Sequence, residues 1–112
     1  MRRMGAGIAF LAVLTASASV SAAGNPSRGL ELSQACQACH GPEGNLAVDE
    51  NTPIIAGQHA GYLVHALQAY RSGDRQNAIM AGFASQLSDQ DIRDLAAWYA
   101  SQDGLTTPSL DK

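Results

Sequence analysis

The chain has 112 residues, with seven basic and ten acidic side chains and a formal net charge of −3. This length accommodates one domain, and the acidic balance disfavours nucleic acids and anionic membranes as partners. It favours transient contact with a protein that presents a basic surface, although negative charge also serves solubility alone.

The first 22 residues have the pattern of a secretory signal peptide. Arg2 and Arg3 precede an apolar stretch at 6–14, and small residues follow as far as Ala23. The apolar stretch is too short for a membrane anchor. We therefore expect cleavage after Ala22 or Ala23, a periplasmic location, and no stable membrane insertion of the cleaved protein.

The mature domain, 23–112, has about 90 residues, a size at which a hydrophobic core alone is marginal. Without the two signal-peptide arginines, the chain has five basic and ten acidic residues, which gives a net charge near −5. Its two cysteines, Cys36 and Cys39, would close too small a loop for a disulfide to stabilise the fold. The sequence thus predicts that a metal or a large apolar cofactor contributes to the core.

Helical signals recur along the mature domain, with long connections between them. Asn25-Pro26-Ser27 predicts a helix start, and that helix runs into Cys36. A second helix is predicted from Gly57 to Ser72 and ended by Gly73. The segments 46–53 and 74–86 are interpreted as loops. No strand alternation is present, so the expected fold is all-α, with three or four helices. Loops this long indicate that something large fills the centre.

The last predicted helix is the best marked. Ser88 is a suitable N-cap and Asp91 lies three residues later, as in a capping box. One face of this helix is apolar: Ile92, Leu95, Ala96 and Tyr99. We expect Gly29 to let the first helix pack closely against this one, at Leu95 or Tyr99.

Cys36-Gln37-Ala38-Cys39-His40 is a C-x-x-C-H sequence, which is the attachment signal for c-type haem. Two thiols one helical turn apart can add to the two vinyl groups of a porphyrin, and the adjacent histidine can then ligate the iron. A thioredoxin-like redox pair would need a strand–helix unit, and none is predicted. A structural zinc site would need four ligands, and two cysteines with scattered histidines do not supply them.

The mature chain resembles the class I cytochromes c, in particular the small bacterial kind that also forms each half of the dihaem periplasmic cytochromes. Four stretches carry the resemblance along nearly the whole mature chain. They are Cys36 to Gly41, Pro53 to Gln58 before a helix with Tyr62-Leu63, Tyr70 to Arg75, and Leu87 to Ile92 opening a helix that ends near Trp98-Tyr99. The resemblance implies one covalent haem c enclosed by crossing N-terminal and C-terminal helices.

Met80 is the sixth iron ligand that the resemblance implies. Met1 and Met4 belong to the predicted signal peptide, so Met80 is the only methionine of the mature protein, and it lies in a predicted loop. Haem with His40 on one side needs a ligand on the other. His59 and His65 are the alternatives, but His65 is expected to face solvent, and His59 to be surface or a capping group.

The resemblance implies a role for one further residue, Pro53, and side-chain chemistry suggests roles for two more. The carbonyl of Pro53 is expected to accept the proton of the His40 imidazole, which fixes the ring. Arg75 and Gln58 are expected to bond the haem propionates, although Arg75 suits an ion pair with Asp74 equally well.

The function expected from these features is one-electron transfer, with transient protein donors and acceptors and no catalytic residues of the chain's own. Two axial ligands from the protein leave no open iron position for a substrate. Two alternatives are an electron-entry subunit of a larger oxidoreductase and a haem protein that binds or senses a gas.

Overall fold

The computed structural model describes residues 2–14 and 23–106. Residues 2–14 contain no helix or strand, and their large apolar side chains are exposed. Ala22, on one side of the predicted cleavage sites, lies outside the described residues. No helix within the described ranges has the length and apolarity needed to cross a bilayer.

All regular secondary structure in residues 23–106 is helical. The α-helices are α1 (Pro26–Leu32), α2 (Gln37–His40), α3 (Ala60–Ser72), α4 (Ala78–Ala84) and α5 (Asp89–Ala100). The all-α prediction is therefore confirmed. The first predicted helix is divided, because a 3-10 turn at Ser33–Ala35 separates α1 from α2. Asn25 caps α1 by accepting hydrogen bonds from the N–H groups of Ser27 and Arg28.

The prediction of a continuous loop at 74–86 was wrong, because α4 lies within it. Asn77 is the N-cap of α4, and its side-chain oxygen accepts hydrogen bonds from the N–H groups of Ile79 and Met80, both at 3.1 Å. Asparagine is among the preferred N-cap residues, so Asn77 was the sequence signal for this helix.

The crossing of α1 and α5 is very close. A β-carbon on Gly29 would clash with the carbonyl oxygen of Asp94 and lie 2.7 Å from Cβ of Trp98. The predicted close approach at Gly29 is confirmed, but its partners are Asp94 and Trp98 instead of Leu95 or Tyr99. Glycine is required here because it lets two helix backbones meet without an intervening side chain.

The core lies between α3 and α5. Its buried members are Leu63 from α3 and three residues of the predicted apolar face of α5, namely Leu95, Ala96 and Tyr99. Cys36 packs against this cluster. The capping box of Ser88 and Asp91 is present, so the predicted start of α5 is confirmed. The core therefore fixes the cysteine turn relative to the last helix.

Candidate functional site

The two cysteines occupy one short helical turn. Cys36 precedes α2 and Cys39 lies within it, and both thiols are half-buried and unpaired. Burial raises the pKa of the Cys36 thiol, and the neighbouring Cys39 adds to that rise. A redox-active pair needs a lowered thiol pKa, so this environment does not favour a thioredoxin-like pair.

His40 is buried and its ring is oriented by Pro53. Nδ1 of His40 lies 2.8 Å from the main-chain oxygen of Pro53, a residue 13 positions later. Because a carbonyl only accepts, this contact requires the proton on Nδ1 and leaves Nε2 as the basic nitrogen. A histidine that ligates a metal typically donates its other ring proton in this way. The predicted contact between His40 and Pro53 is therefore present.

The loop between His40 and Pro53 is bonded to the cysteine turn through main-chain groups. The N–H of Val48 donates to the carbonyl of Cys39 at 2.8 Å, and that of Leu46 donates to the carbonyl of His40 at 3.2 Å. Gly41 ends α2 with a φ angle of 85°, a backbone conformation that residues with a β-carbon rarely adopt. These contacts satisfy two carbonyl groups at the end of α2.

The segment after Pro53 is anchored to both sides of the site. The N–H groups of Ile55 and Ala56 both donate to the carbonyl of Gly44, at 2.8 and 3.0 Å. Gly57 then donates to the carbonyl of Tyr99, at 2.9 Å, near the end of α5. The Pro53 carbonyl is consequently held by contacts to the loop before it and to the last helix.

Met80 lies in the first turn of α4, where its side chain is half-buried. It is therefore on a capped helix, in contrast to the irregular loop expected from the sequence. His65 is exposed, as predicted. His59 is the N-cap residue of α3, but its side chain makes no capping hydrogen bond.

Arg75 and Gln58 have defined protein contacts. Nη1 of Arg75 donates to the hydroxyl of Tyr62 at 3.2 Å, and its guanidinium lies 4.8 Å from the ring centroid of Tyr70. The hydrogen bond with Tyr62 is the main cause of a raised pKa of Arg75. Oε1 of Gln58 accepts from the N–H of His59 at 2.9 Å. The side chain of Arg75 thus contacts two tyrosines, and the alternative ion pair with Asp74 is not among its contacts.

The described residues fit a covalently bound haem. Two unpaired thiols on one turn and a histidine with Nε2 available form the donor set for attachment and iron ligation. Large apolar side chains are exposed beside residues that the sequence assigns to the haem site: Ile54 next to Pro53, and Ile79 and Phe83 on the helix of Met80. Such exposed groups suit contact with an apolar ring. No cluster of three or more His, Cys, Asp or Glu able to hold a metal ion occurs within residues 2–14 and 23–106.

Sequence reasoning missed Asp94, a carboxylate that is only 1% exposed. Its Oδ1 accepts hydrogen bonds of 2.8 Å from the main-chain N–H of Asn25 and from the side-chain amide of Gln90. Nε of Arg28 lies 3.5 Å from its other oxygen. Nothing in the sequence distinguishes Asp94 from the nearby Asp89 and Asp91, because its burial depends on where α1 crosses α5.

The helical fold and the C-x-x-C-H turn are those of a class I cytochrome c. The sequence profile of the cytochrome c family matches residues 26–103. The chain therefore belongs to the cytochrome c family, whose domain implies a covalent haem c and haem-based electron transfer.

The chain is similar to one protein that it matches over its whole length and to others that it matches over about half of theirs. It is 39% identical over 92 residues to cytochrome c4 of Pseudomonas aeruginosa, covering 80% of this chain and 45% of that protein. It is 40% identical over 84 residues to cytochrome c-554(548) of Halomonas halodenitrificans, covering 72% of this chain and all of that protein. The crystal structure of reduced recombinant cytochrome c4 from Pseudomonas stutzeri matches with a TM-score of 0.69 and 37% identity, over 74% of this chain and 48% of that one. The chain thus spans about half the length of the cytochromes c4 that it matches.

Proposed function

We propose that the mature domain, 23–112, is a periplasmic one-electron carrier that holds one haem c through Cys36 and Cys39. The observation that carries this proposal is the 2.8 Å contact between Nδ1 of His40 and the Pro53 carbonyl, within a C-x-x-C-H turn. When bound, the haem supplies an iron that cycles between ferrous and ferric states. The export of the chain and the removal of residues 1–22 belong to this proposal.

His40 is proposed as one axial ligand, and its hydrogen bond to Pro53 has two effects. It fixes the tautomer with the proton on Nδ1, and it prevents rotation of the ring. A hydrogen bond donated to a carbonyl also makes Nε2 more electron-rich. His40 would therefore bind iron without reorganising when the iron changes charge.

Met80 is proposed as the second axial ligand. Its position in a capped first turn limits the movement of its main chain, because Asn77 bonds its N–H. A thioether is a weak, soft donor that stabilises the ferrous state and raises the reduction potential. If His40 and Met80 both bind the iron, they would leave no position for a substrate, which favours electron transfer over chemistry at the iron.

Arg75 and Gln58 are proposed to bond the haem propionates. A guanidinium has five N–H donors, and the bond to Tyr62 uses one of them. Gln58 uses its carbonyl oxygen toward His59, while an amide nitrogen is the group that would donate to a carboxylate. Tyr62 and Tyr70 would hold the Arg75 cation in place.

The partners are proposed to be redox proteins met transiently, with no nucleic acid. A second candidate function is electron acceptance from one particular enzyme, of which the chain would be a subunit or dedicated acceptor. This second candidate is supported by similarity to a thiosulfate dehydrogenase electron acceptor of Stutzerimonas stutzeri. The two sequences are 39% identical over 69 residues, which cover 59% of this chain and 32% of that protein. Co-purification under native conditions distinguishes a permanent subunit from a free carrier.

Visible spectra of the periplasmic fraction, oxidised and reduced, with a potentiometric titration test the main proposal. We expect a reversible one-electron couple, and haem that stays with the polypeptide under denaturing conditions. Replacing both Cys36 and Cys39 by Ala should make the haem extractable, whereas His65→Ala should leave it attached. A wild-type protein whose haem is extractable would contradict the proposal. Strong carbon monoxide binding by the reduced wild type would instead favour the gas-binding alternative.

A further inference from the structure

The loop at 42–52 carries two exposed apolar side chains beside the cysteine turn. Leu46 is 69% exposed and Val48 is 62% exposed. Their main-chain N–H groups bond the carbonyls of His40 and Cys39, at 3.2 and 2.8 Å. Both side chains are therefore presented at a fixed position directly next to the residues proposed to hold the haem.

Acidic residues flank these two side chains in the sequence of the loop. Glu43, Asp49 and Glu50 are all exposed. Asp49 is fixed by hydrogen bonds of 3.0 Å from the N–H of Asn51 and the hydroxyl of Thr52. Between Gly29 and Tyr70 the chain contains no lysine or arginine, so no cation in that stretch neutralises this charge.

We propose that Glu43, Leu46, Val48, Asp49 and Glu50, the loop patch, form the docking surface for a redox partner with an apolar centre and a basic rim. An apolar centre with a charged border is the usual composition of a protein interface. Opposite charge speeds the encounter and orients the two proteins, which suits the short-lived contact of electron transfer. This inference rests on the proposed electron-carrier function.

The test uses two one-electron oxidants of opposite charge on the reduced, haem-loaded protein. Tris(1,10-phenanthroline)cobalt(III) is cationic with apolar aromatic ligands, and hexacyanoferrate(III) is anionic. Each accepts one electron from the ferrous haem and becomes cobalt(II) or hexacyanoferrate(II). The measured quantity is the ratio of the two second-order rate constants. A change in the reduction potential of the haem affects both oxidations in the same direction, whereas a change in surface charge affects them in opposite directions.

Replacing Glu43 and Glu50 together by Gln should lower the cobalt-to-cyanoferrate rate ratio several-fold at low ionic strength. High salt should remove most of the difference, since it screens exposed charges. Two single replacements form the matched controls: Glu43→Gln should have a smaller effect, and Asp74→Asn, an exposed carboxylate after α3, should leave the ratio nearly unchanged. Equal effects of Asp74→Asn and Glu43→Gln would overturn the proposal.

Replacing Leu46 by Gln and Val48 by Thr tests the apolar centre. At high salt, the rate with the cobalt complex should fall while that with hexacyanoferrate(III) stays the same. The absorption spectrum and midpoint potential should not change. A shifted spectrum or potential would show that these side chains cover the haem and would overturn the docking surface. If neither oxidant reacts with the reduced protein, the electron-carrier proposal itself fails.

Discussion

The main-chain N–H of Asn25 donates a 2.8 Å hydrogen bond to Oδ1 of Asp94, which lies 69 residues later. This contact joins the N-cap of α1 to the middle of α5, where Gly29 lets the two helices meet. A carboxylate that is 1% exposed needs its hydrogen bonds, and here Asn25, Gln90 and Arg28 surround it. The crossing of the first and last helices therefore has a polar contact beside its apolar ones.

Replacing Asp94 by Ala should lower the free energy of unfolding by about 1–3 kcal/mol, because the N–H of Asn25 and the amide of Gln90 lose their acceptor. Urea unfolding of the haem-loaded protein measures this. Asp94→Asn keeps a carbonyl oxygen for Asn25 and should be less harmful. If Asp94→Ala is as stable as the wild type, the contact contributes nothing.

Replacing Gly29 by Ala should destabilise the fold by about 1–3 kcal/mol, since the added methyl group would overlap the main chain of Asp94 and force α1 away from α5. Gly61→Ala is the matched control. Gly61 lies in α3 with nothing within 4 Å of an added β-carbon, and alanine favours helix, so this variant should be neutral or more stable. Thermal unfolding of both variants tests whether α1 and α5 are too close at Gly29 to admit a β-carbon. Similar stability of the two would contradict it.

Replacing Met80 by Ala should abolish the sulfur-to-iron absorption band at the red end of the spectrum and lower the reduction potential, because a soft ligand is lost. The reduced variant should also bind carbon monoxide. His59→Ala and His65→Ala should keep the band. Survival of the band in Met80→Ala would rule out this methionine as ligand, and absence of the band from the oxidised wild type would favour bis-histidine ligation.

Asp91 should contribute stability that depends on pH. Its capping-box hydrogen bond with the main chain of Ser88 is the largest of the causes that lower the pKa of Asp91 in the folded protein. A carboxylate with a lowered folded pKa stabilises the fold above its unfolded pKa of about 3.9 and loses that contribution as the pH falls through the folded pKa.

Asp91→Asn should therefore cost about 0.3–1 kcal/mol at neutral pH and much less below the folded pKa. Urea unfolding across a pH series measures the difference. Some pH dependence should remain, because a hydrogen bond with Arg71 also lowers the pKa of Asp89. A difference between variant and wild type that is constant with pH would contradict the role of the charge.

Local chemistry explains which features could be predicted from the sequence. The C-x-x-C-H turn, the capping box of α5 and the end of α3 at Gly73 each depend on a few adjacent residues, and all three are present. The segment containing α4 has no steady apolar period, so its helix was missed despite Asn77. The burial of Asp94 and the bonds that fix Leu46 and Val48 depend on residues distant in sequence or on main-chain atoms, which leave no pattern in the side chains.

The loop between His40 and Pro53 is held at its base by main-chain N–H and carbonyl groups, and every residue type except proline supplies both. Val48 and Leu46 bond Cys39 and His40 through their main chains, and Pro53 receives the His40 proton through its carbonyl. The side chains of Leu46 and Val48 can therefore vary, proline excepted, without changing the bonds that orient His40. Specificity for a partner and the orientation of the proposed iron ligand are thus separable, and mutation can alter the first while preserving the second.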